Sequence, residues 1–127
     1  MTNPFEDQER FMTACDQTVY GENIPQYQLY LKLIEEETRE LVDAIKASDK
    51  QEQLDALIDI LVVTIGAIHS MGADGEGAWK EVMWTNFAKI DDITGKVNKR
   101  SDGKILKPKD WKSPELQQYL ERKNEDE

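Results

Sequence analysis

The sequence predicts an all-α bundle of four to five helices, with a small hairpin or extended segment near its C-terminal end. Three observations carry this. Apolar residues recur at helical spacing through most of residues 5–91. Turn signals at Gly21, Ser48-Asp49 and Met71-Gly72 divide that stretch into four pieces. The run from Asp55 to Ile68 is apolar in almost every direction around a helix, as in helices buried on all sides. A chain of 127 residues suits one domain with a modest core, spanning about residues 5–116. The acidic tail, residues 123–127, is expected to be disordered.

The first helix is expected from Phe5 to about Thr18, with Phe11, Met12 and Cys15 on one apolar side. Gly21 breaks it, and Pro25 suits the first turn of a second helix reaching Lys46. On that helix Tyr27, Tyr30, Leu31, Ile34, Leu41 and Ile45 form an apolar face. A second line runs through Leu29, Leu33, Glu36, Glu37, Glu40 and Ala44, so three glutamates replace the middle of an apolar stripe and are expected to face inward. Glu35 points the other way, beside Lys32 and Arg39. After a polar turn at residues 48–51, the third helix covers about Glu52 to Ser70. A fourth, from about Gly77 to Asp91, would bury Trp79, Val82, Met83, Asn86 and Ile90, with Lys89 at the edge. Ser101-Asp102-Gly103 signals a hairpin within residues 96–107. Ser113-Pro114 would cap a last short helix, from Glu115 to about Arg122.

Asp55 and Asp59 lie one turn apart inside the most apolar helix, on a line that continues to Val62 and Gly66. Ionised carboxylates removed from water need a partner charge or a metal. Helices joined by so short a turn pack antiparallel. The pair can therefore meet Glu36, Glu37 and Glu40. Five converging carboxylates call for hard divalent cations with oxygen ligands, Mg²⁺ or Mn²⁺. Acidic helix faces are common, so the glutamates alone would read equally well as solvated; it is the aspartates in an apolar helix that favour a metal. Mg²⁺ is usually bound together with substrate phosphates. Residues 96–112 carry seven basic side chains against two acidic ones, and Lys89, Lys99, Arg100, Lys104 and Lys107 are candidates to hold phosphate oxygens. Asn86, a polar residue within a buried stripe, needs polar partners. Phe11, Met12 and Tyr20 would serve as a base pocket, with Cys15 beside them, although packing is their default reading.

Other chemistries fail. Thr94-Gly95-Lys96 lacks the glycine spacing of a P-loop, and Asp91–Asp102 lacks the alternating acids of a calcium loop. His69 is the single histidine, which excludes multi-histidine metal sites and suits a helix end. Cys15 has no histidine in sequence to activate it, and Trp79, Trp84 and Trp111 read as core or interface. The net charge of −10 disfavours nucleic-acid and membrane-surface partners. A single cysteine, a polar acidic N-terminus and an apolar run too short to span a bilayer point to a soluble cytoplasmic protein.

The stretch Leu33–Ile45, with Glu36-Glu37-Thr38-Arg39-Glu40 at its centre, resembles the EExxE motif of the all-α nucleoside triphosphate pyrophosphohydrolases, the MazG-like superfamily. Asp55–Leu61 resembles its second acidic motif, with one departure: Ala56 stands where that motif has glutamate, and Asp55 supplies the acid one residue earlier. Asn86-Phe87-Ala88-Lys89 and Asp102–Lys107 are similar to trailing segments of the phage and bacterial branch called phosphoribosyl-ATP pyrophosphohydrolase-like. The likeness extends over about Phe11–Leu116.

The resemblance implies a MazG-like bundle and metal-dependent cleavage between the α- and β-phosphates of a nucleoside triphosphate, giving a monophosphate and pyrophosphate. Glu36, Glu37, Glu40 and Asp59 would hold Mg²⁺, for which Mn²⁺ substitutes, with Asp55 a further ligand. Glu36 or Glu37 would orient or deprotonate the water. Asn86, Lys89 and Lys107, with Lys104, would contact phosphate or sugar. Assembly as a homodimer or homotetramer is implied as well. A purine dNTP such as dGTP is the favoured substrate; phosphoribosyl-ATP and the pyrimidine nucleotides dUTP and dCTP are alternatives. A non-catalytic acidic helical adaptor is the competing class, but an adaptor has no reason to bury Asp55, Asp59 and Asn86 near a glutamate cluster.

Overall fold

A computed structural model describes residues 2–123. The chain forms two compact units, one made of the chain up to Gly75 together with the stretch from Leu120 onward, the other of Glu76–Tyr119. Its helices are α1 (Pro4–Ala14), α2 (Ile24–Lys46), α3 (Lys50–Ser70) and α4 (Gly75–Phe87), followed by one 3₁₀ turn, Gln117–Tyr119. The structure is all-α, with no strand among the described residues. Acidic-tail residues 124–127 lie outside the described part.

In the first unit each helix starts on a side-chain cap. Asn3 accepts from the Glu6 amide at 2.9 Å, Asn23 from Gln26 at 3.1 Å and Asp49 from Glu52 at 3.1 Å. Because Asp49 is itself the cap, α3 begins at Lys50, two residues before the expected Glu52. α1 stops at Ala14, short of Thr18, where Asp16 turns to φ 58°.

Helix α3 packs against both α1 and α2. The core is small: Met12, Tyr30 and Ala67, with Val19, Tyr27, Leu33, Ile34 and Val63 against them. Gly66 sets the helix separation, since a Cβ there would lie 2.3 Å from Cε1 of Tyr30. The Tyr30 hydroxyl in turn donates to Gln17 Oε1 at 2.6 Å. A polar lock closes the same end. Gln26 Nε2 donates to Thr18 O and to Ser70 Oγ, both at 2.8 Å, and the Asn23 amide donates to Ser70 O at 2.8 Å. His69 is buried at the end of α3, as its sequence position suggests, with Nε2 3.0 Å from Phe5 O. Arg122 ties the returning C-terminal stretch down: it donates to Glu9 Oε2 at 2.7 Å and to Val19 O at 3.2 Å, and lies over the Tyr20 ring at 4.2 Å. Burial would raise the Glu9 carboxyl, but the Arg122 guanidinium outweighs it and holds Glu9 below the usual range.

Two expectations about burial are corrected here. On α1 the inward line is Gln8 and Met12; Phe11 is 62% exposed and Cys15 is exposed too. Phe11 and Cys15 are four residues apart and share a face, but that face is not the one turned to α3. Helix α3 is not covered on all sides either: Leu54, Leu57, Ile58, Leu61 and Val62 remain exposed. By length and apolar content alone α3 would be long enough to cross a membrane, contrary to the expectation from its apolar run. Asp55 and Asp59 interrupt it.

The second unit holds α4 from Glu76 and an extended segment. Asp91 turns the chain after α4, accepting from the Ile93 and Thr94 amides at 2.8 and 3.2 Å. The expected hairpin exists only as two isolated antiparallel bridges, Ile90 with Val97 and Lys99 with Ile105. Asp102 and Gly103 form its turn, Gly103 at φ 91°. Helix α4 ends at Phe87 rather than Asp91, and its expected stripe is only half-buried, with Trp79 and Ile90 exposed. In place of a last helix over Glu115–Arg122 there is the single 3₁₀ turn. Leu116 and Leu120 are exposed there, and so short a segment without an apolar partner does not propagate a helix.

Candidate active site

The contact between Tyr30 and Gly66 fixes the register of α2 on α3. Seven residues on from Tyr30, two turns along α2, is Glu37. Seven back from Gly66 is Asp59. The two carboxyls therefore face each other across the helix pair, both half-buried. Glu37 Oε2 is enclosed and accepts no hydrogen bond. The Glu37 carboxyl is pushed up to about 7, first by burial, then by the Glu40 carboxyl beside it, and then by Asp59 and Asp55 across the seam. Asp59 is raised as well, by burial and then by Asp55 and Glu40.

The structure thus brings Glu37, Glu40, Asp55 and Asp59 into one electrostatic patch, but not in the expected orientation. Glu36, Glu40 and Asp55 are exposed rather than inward. Successive residues on a helix turn away from one another, and the narrow seam accepts one residue per turn or so; Glu37 takes that place, leaving Glu36 on the outer side. On α3 the buried position next to Asp55 is Ala56, only 2% exposed. The acid sits one residue early and so projects outside the seam. Among the described residues no three acidic, histidine or cysteine side chains close on a common point. An oxygen-only donor set with an enclosed, partnerless carboxylate oxygen at its centre nonetheless suits a hard divalent cation.

The basic candidates belong to the second unit. Lys89 Nζ donates to Asn86 Oδ1 at 3.1 Å, and Asn86 Nδ2 points to Met83 Sδ at 3.7 Å. The polar partner expected for Asn86 is therefore Lys89. Lys89 and Lys107 both lie over the Trp111 ring, at 5.1 and 4.7 Å from its centroid. Arg100 is paired with Asp102, and Lys99 and Lys104 sit in the turn it closes. Of the base-pocket candidates, Met12 is fully enclosed in the core and cannot touch a ligand, whereas Phe11 and Cys15 lie on the open face of α1. Sequence reasoning read Trp111 as core or interface and did not anticipate that it would gather two of the basic candidates. Its one signal is the density of lysines around it, which periodicity does not register.

The all-α bundle with glutamates set against aspartates on its two longest helices agrees with the MazG-like nucleoside triphosphate pyrophosphohydrolases, the superfamily to which the matching family model belongs. Within that superfamily the chain belongs to the phosphoribosyl-ATP pyrophosphohydrolase family, whose model matches residues 9–86. The match takes in both acidic helices and ends at Asn86, so residues 87–116, also part of the expected likeness, fall outside it. No curated protein sequence matches the chain. Membership supports a pyrophosphohydrolase activity on a nucleotide.

Proposed function

We propose that this protein is a divalent-metal-dependent nucleoside triphosphate pyrophosphohydrolase. It cleaves a (deoxy)nucleoside triphosphate to the monophosphate and pyrophosphate, with a purine dNTP such as dGTP the first substrate to test. The observation that carries the reading is the enclosed, partnerless oxygen of Glu37 facing Asp59, with Glu40 and Asp55 alongside. Carboxylates grouped in this way repel one another and call for a compensating cation. Glu37, Glu40, Asp55 and Asp59 would hold Mg²⁺ or Mn²⁺, with Glu36 on the adjoining face. When bound, the ion supplies Lewis acidity toward phosphoryl oxygens and lowers the pKa of water. Glu37, enclosed in the seam, is placed to orient the attacking water or to take its proton. The water oxygen bonds to phosphorus, the α–β phosphoanhydride breaks, and pyrophosphate leaves. Glu36 is exposed and apart from this set, which favours Glu37 for that role.

A second reading, phosphoribosyl-ATP as substrate, is favoured by the family that the chain matches; that molecule carries the same type of bond. A panel of dNTPs, NTPs and phosphoribosyl-ATP, with Mg²⁺ or Mn²⁺ and a pyrophosphate readout, separates the two. Glu40→Gln and Asp59→Asn should each lower turnover by at least ~10²-fold while helix content is retained. Unchanged turnover in both variants would overturn the proposal. The exposed apolar stripe on α3 supports a further part of it, assembly as a homodimer or homotetramer.

A further inference from the structure

Trp111 joins three otherwise separate pieces of the second unit. Its indole Nε1 donates to Thr85 O at 2.6 Å, which pins the ring to α4. Lys89, just past the end of α4, and Lys107, on the extended segment, both place their ammonium groups over that ring. The two nitrogens are therefore roughly 10 Å apart at most, both drawn to the ring by cation–π attraction. Such attraction leaves N–H donors unspent, since a ring face is no conventional acceptor. Lys89 uses one donor on Asn86 Oδ1. Among the described residues neither ammonium has a carboxylate within ion-pair distance, although the chain carries ten more negative than positive charges. Two like charges gathered at one ring repel, and an anion between them relieves that repulsion. The neighbouring cleft of about 440 Å³, on the Trp84 side, is a poor place for the same anion, because Glu81, Asp110 and Glu115 line it against Lys112 alone.

We infer that Trp111 is a positioning residue which holds Lys89 and Lys107 together as a clamp for a polyphosphate group, with the Asn86 carboxamide orienting Lys89. This rests on the proposed nucleotide reaction for its biological ligand, but the clamp itself can be tested without turnover. The probe is inorganic pyrophosphate, titrated calorimetrically into the full chain. The wild type should bind it; Trp111→Leu should weaken binding about tenfold, and Trp111→Phe, which keeps a ring face, by about threefold or less. Lys107→Met, at an exposed position, should weaken binding as well, and its effect should shrink in the Trp111→Leu background, because the two act as one unit. If Trp111→Leu does not fold, Trp111→Phe paired with Lys107→Met supplies a smaller coupling, about threefold at most. Absence of pyrophosphate binding by the wild type overturns the clamp even if nucleotide is hydrolysed. Strict additivity of the Trp111 and Lys107 changes overturns the positioning role. Failure of hydrolysis with these binding results intact overturns only the reaction assigned above.

Discussion

At the scale of single residues, Glu37 is the point where stability and the proposed function oppose each other. Its carboxyl is raised from an ordinary 4.5 to about 7. The fold thus favours the protonated form, and the sign follows. The protein is most stable, as far as this group is concerned, below about pH 4.5, and it loses stability as pH rises through 7. Glu37→Gln imitates the protonated acid at every pH. It should therefore melt at a higher temperature than the wild type at pH 8, by about 3 °C if the penalty, discounted for solvent screening, is ~1 kcal/mol. The difference should vanish near pH 4.5. The same change should abolish turnover, and Mg²⁺ should stabilise the wild type at pH 8 but hardly affect the variant. Thermal melts at the two pH values, with and without Mg²⁺, measure all of this. A variant less stable than the wild type at pH 8 contradicts the assignment of Glu37 as an uncompensated carboxylate. Which glutamate occupies this place was not legible in the sequence. Helical projection set Glu36, Glu37 and Glu40 together, because it resolves a broad face. A seam one residue wide is fixed only by where the partner helix approaches most closely.

That approach belongs to the scale of elements, and Gly66 governs it. An alanine Cβ there would fall 2.3–2.7 Å from three atoms of the Tyr30 ring. Tyr30 cannot swing aside easily: it is buried, and its hydroxyl is held by Gln17. Alanine would favour the helix by up to ~1 kcal/mol on propensity, but overpacking of this kind costs roughly 1–3 kcal/mol. Gly66→Ala should accordingly lower the melting temperature, and because the Tyr30–Gly66 contact sets the register of Glu37 on Asp59, it should depress turnover as well. A Gly66→Ala protein as stable and active as the wild type would show that the helices have room to separate. Part of the element pattern was readable from local chemistry, with Pro25 in a first turn and Gly72 past the end of α3 at φ 80°, whereas the caps Asn3, Asn23 and Asp49 were not picked out. Where local chemistry lacked a packing partner, the reading failed. Trp79 was expected in a buried stripe, yet the unit around α4 leaves it 60% exposed; Trp84, read as core or interface, is 73% exposed and so is not core. The Ser113-Pro114 signal marked a helix start, but Leu116 and Leu120 beyond it stay exposed, and only one 3₁₀ turn forms.

At the scale of the whole molecule, the question is what covers α3. Leu54, Leu57, Ile58, Leu61 and Val62 recur every three or four residues, so they form one continuous exposed stripe. Four of the residues lining an open trough of about 270 Å³ come from α3 (Ile58, Leu61, Val62 and Ile65), and Pro4, Asp7 and Gln8 of α1 complete it. A continuous apolar stripe beside a trough is more than the scattered exposed leucines of an ordinary monomer surface. The proposed homodimer or homotetramer would bury it, and apolar burial, at ~25 cal/mol per Å², favours that outcome. Light scattering should then return two or four times the chain mass of 14.7 kDa. Leu61→Glu would place a charge in the middle of the stripe, where an unpaired buried carboxylate costs several kcal/mol. The lone chain already exposes Leu61, so the substitution costs it little, and the expected product is a folded single chain with unchanged helix content. A wild type that scatters as 14.7 kDa would mean that the stripe is left open to solvent. The acidic patch would then work within one chain. If instead Leu61→Glu lowers the mass and abolishes turnover together, the site needs the assembly, since Leu61 is not among the acidic residues and can act on them only through the packing of α3.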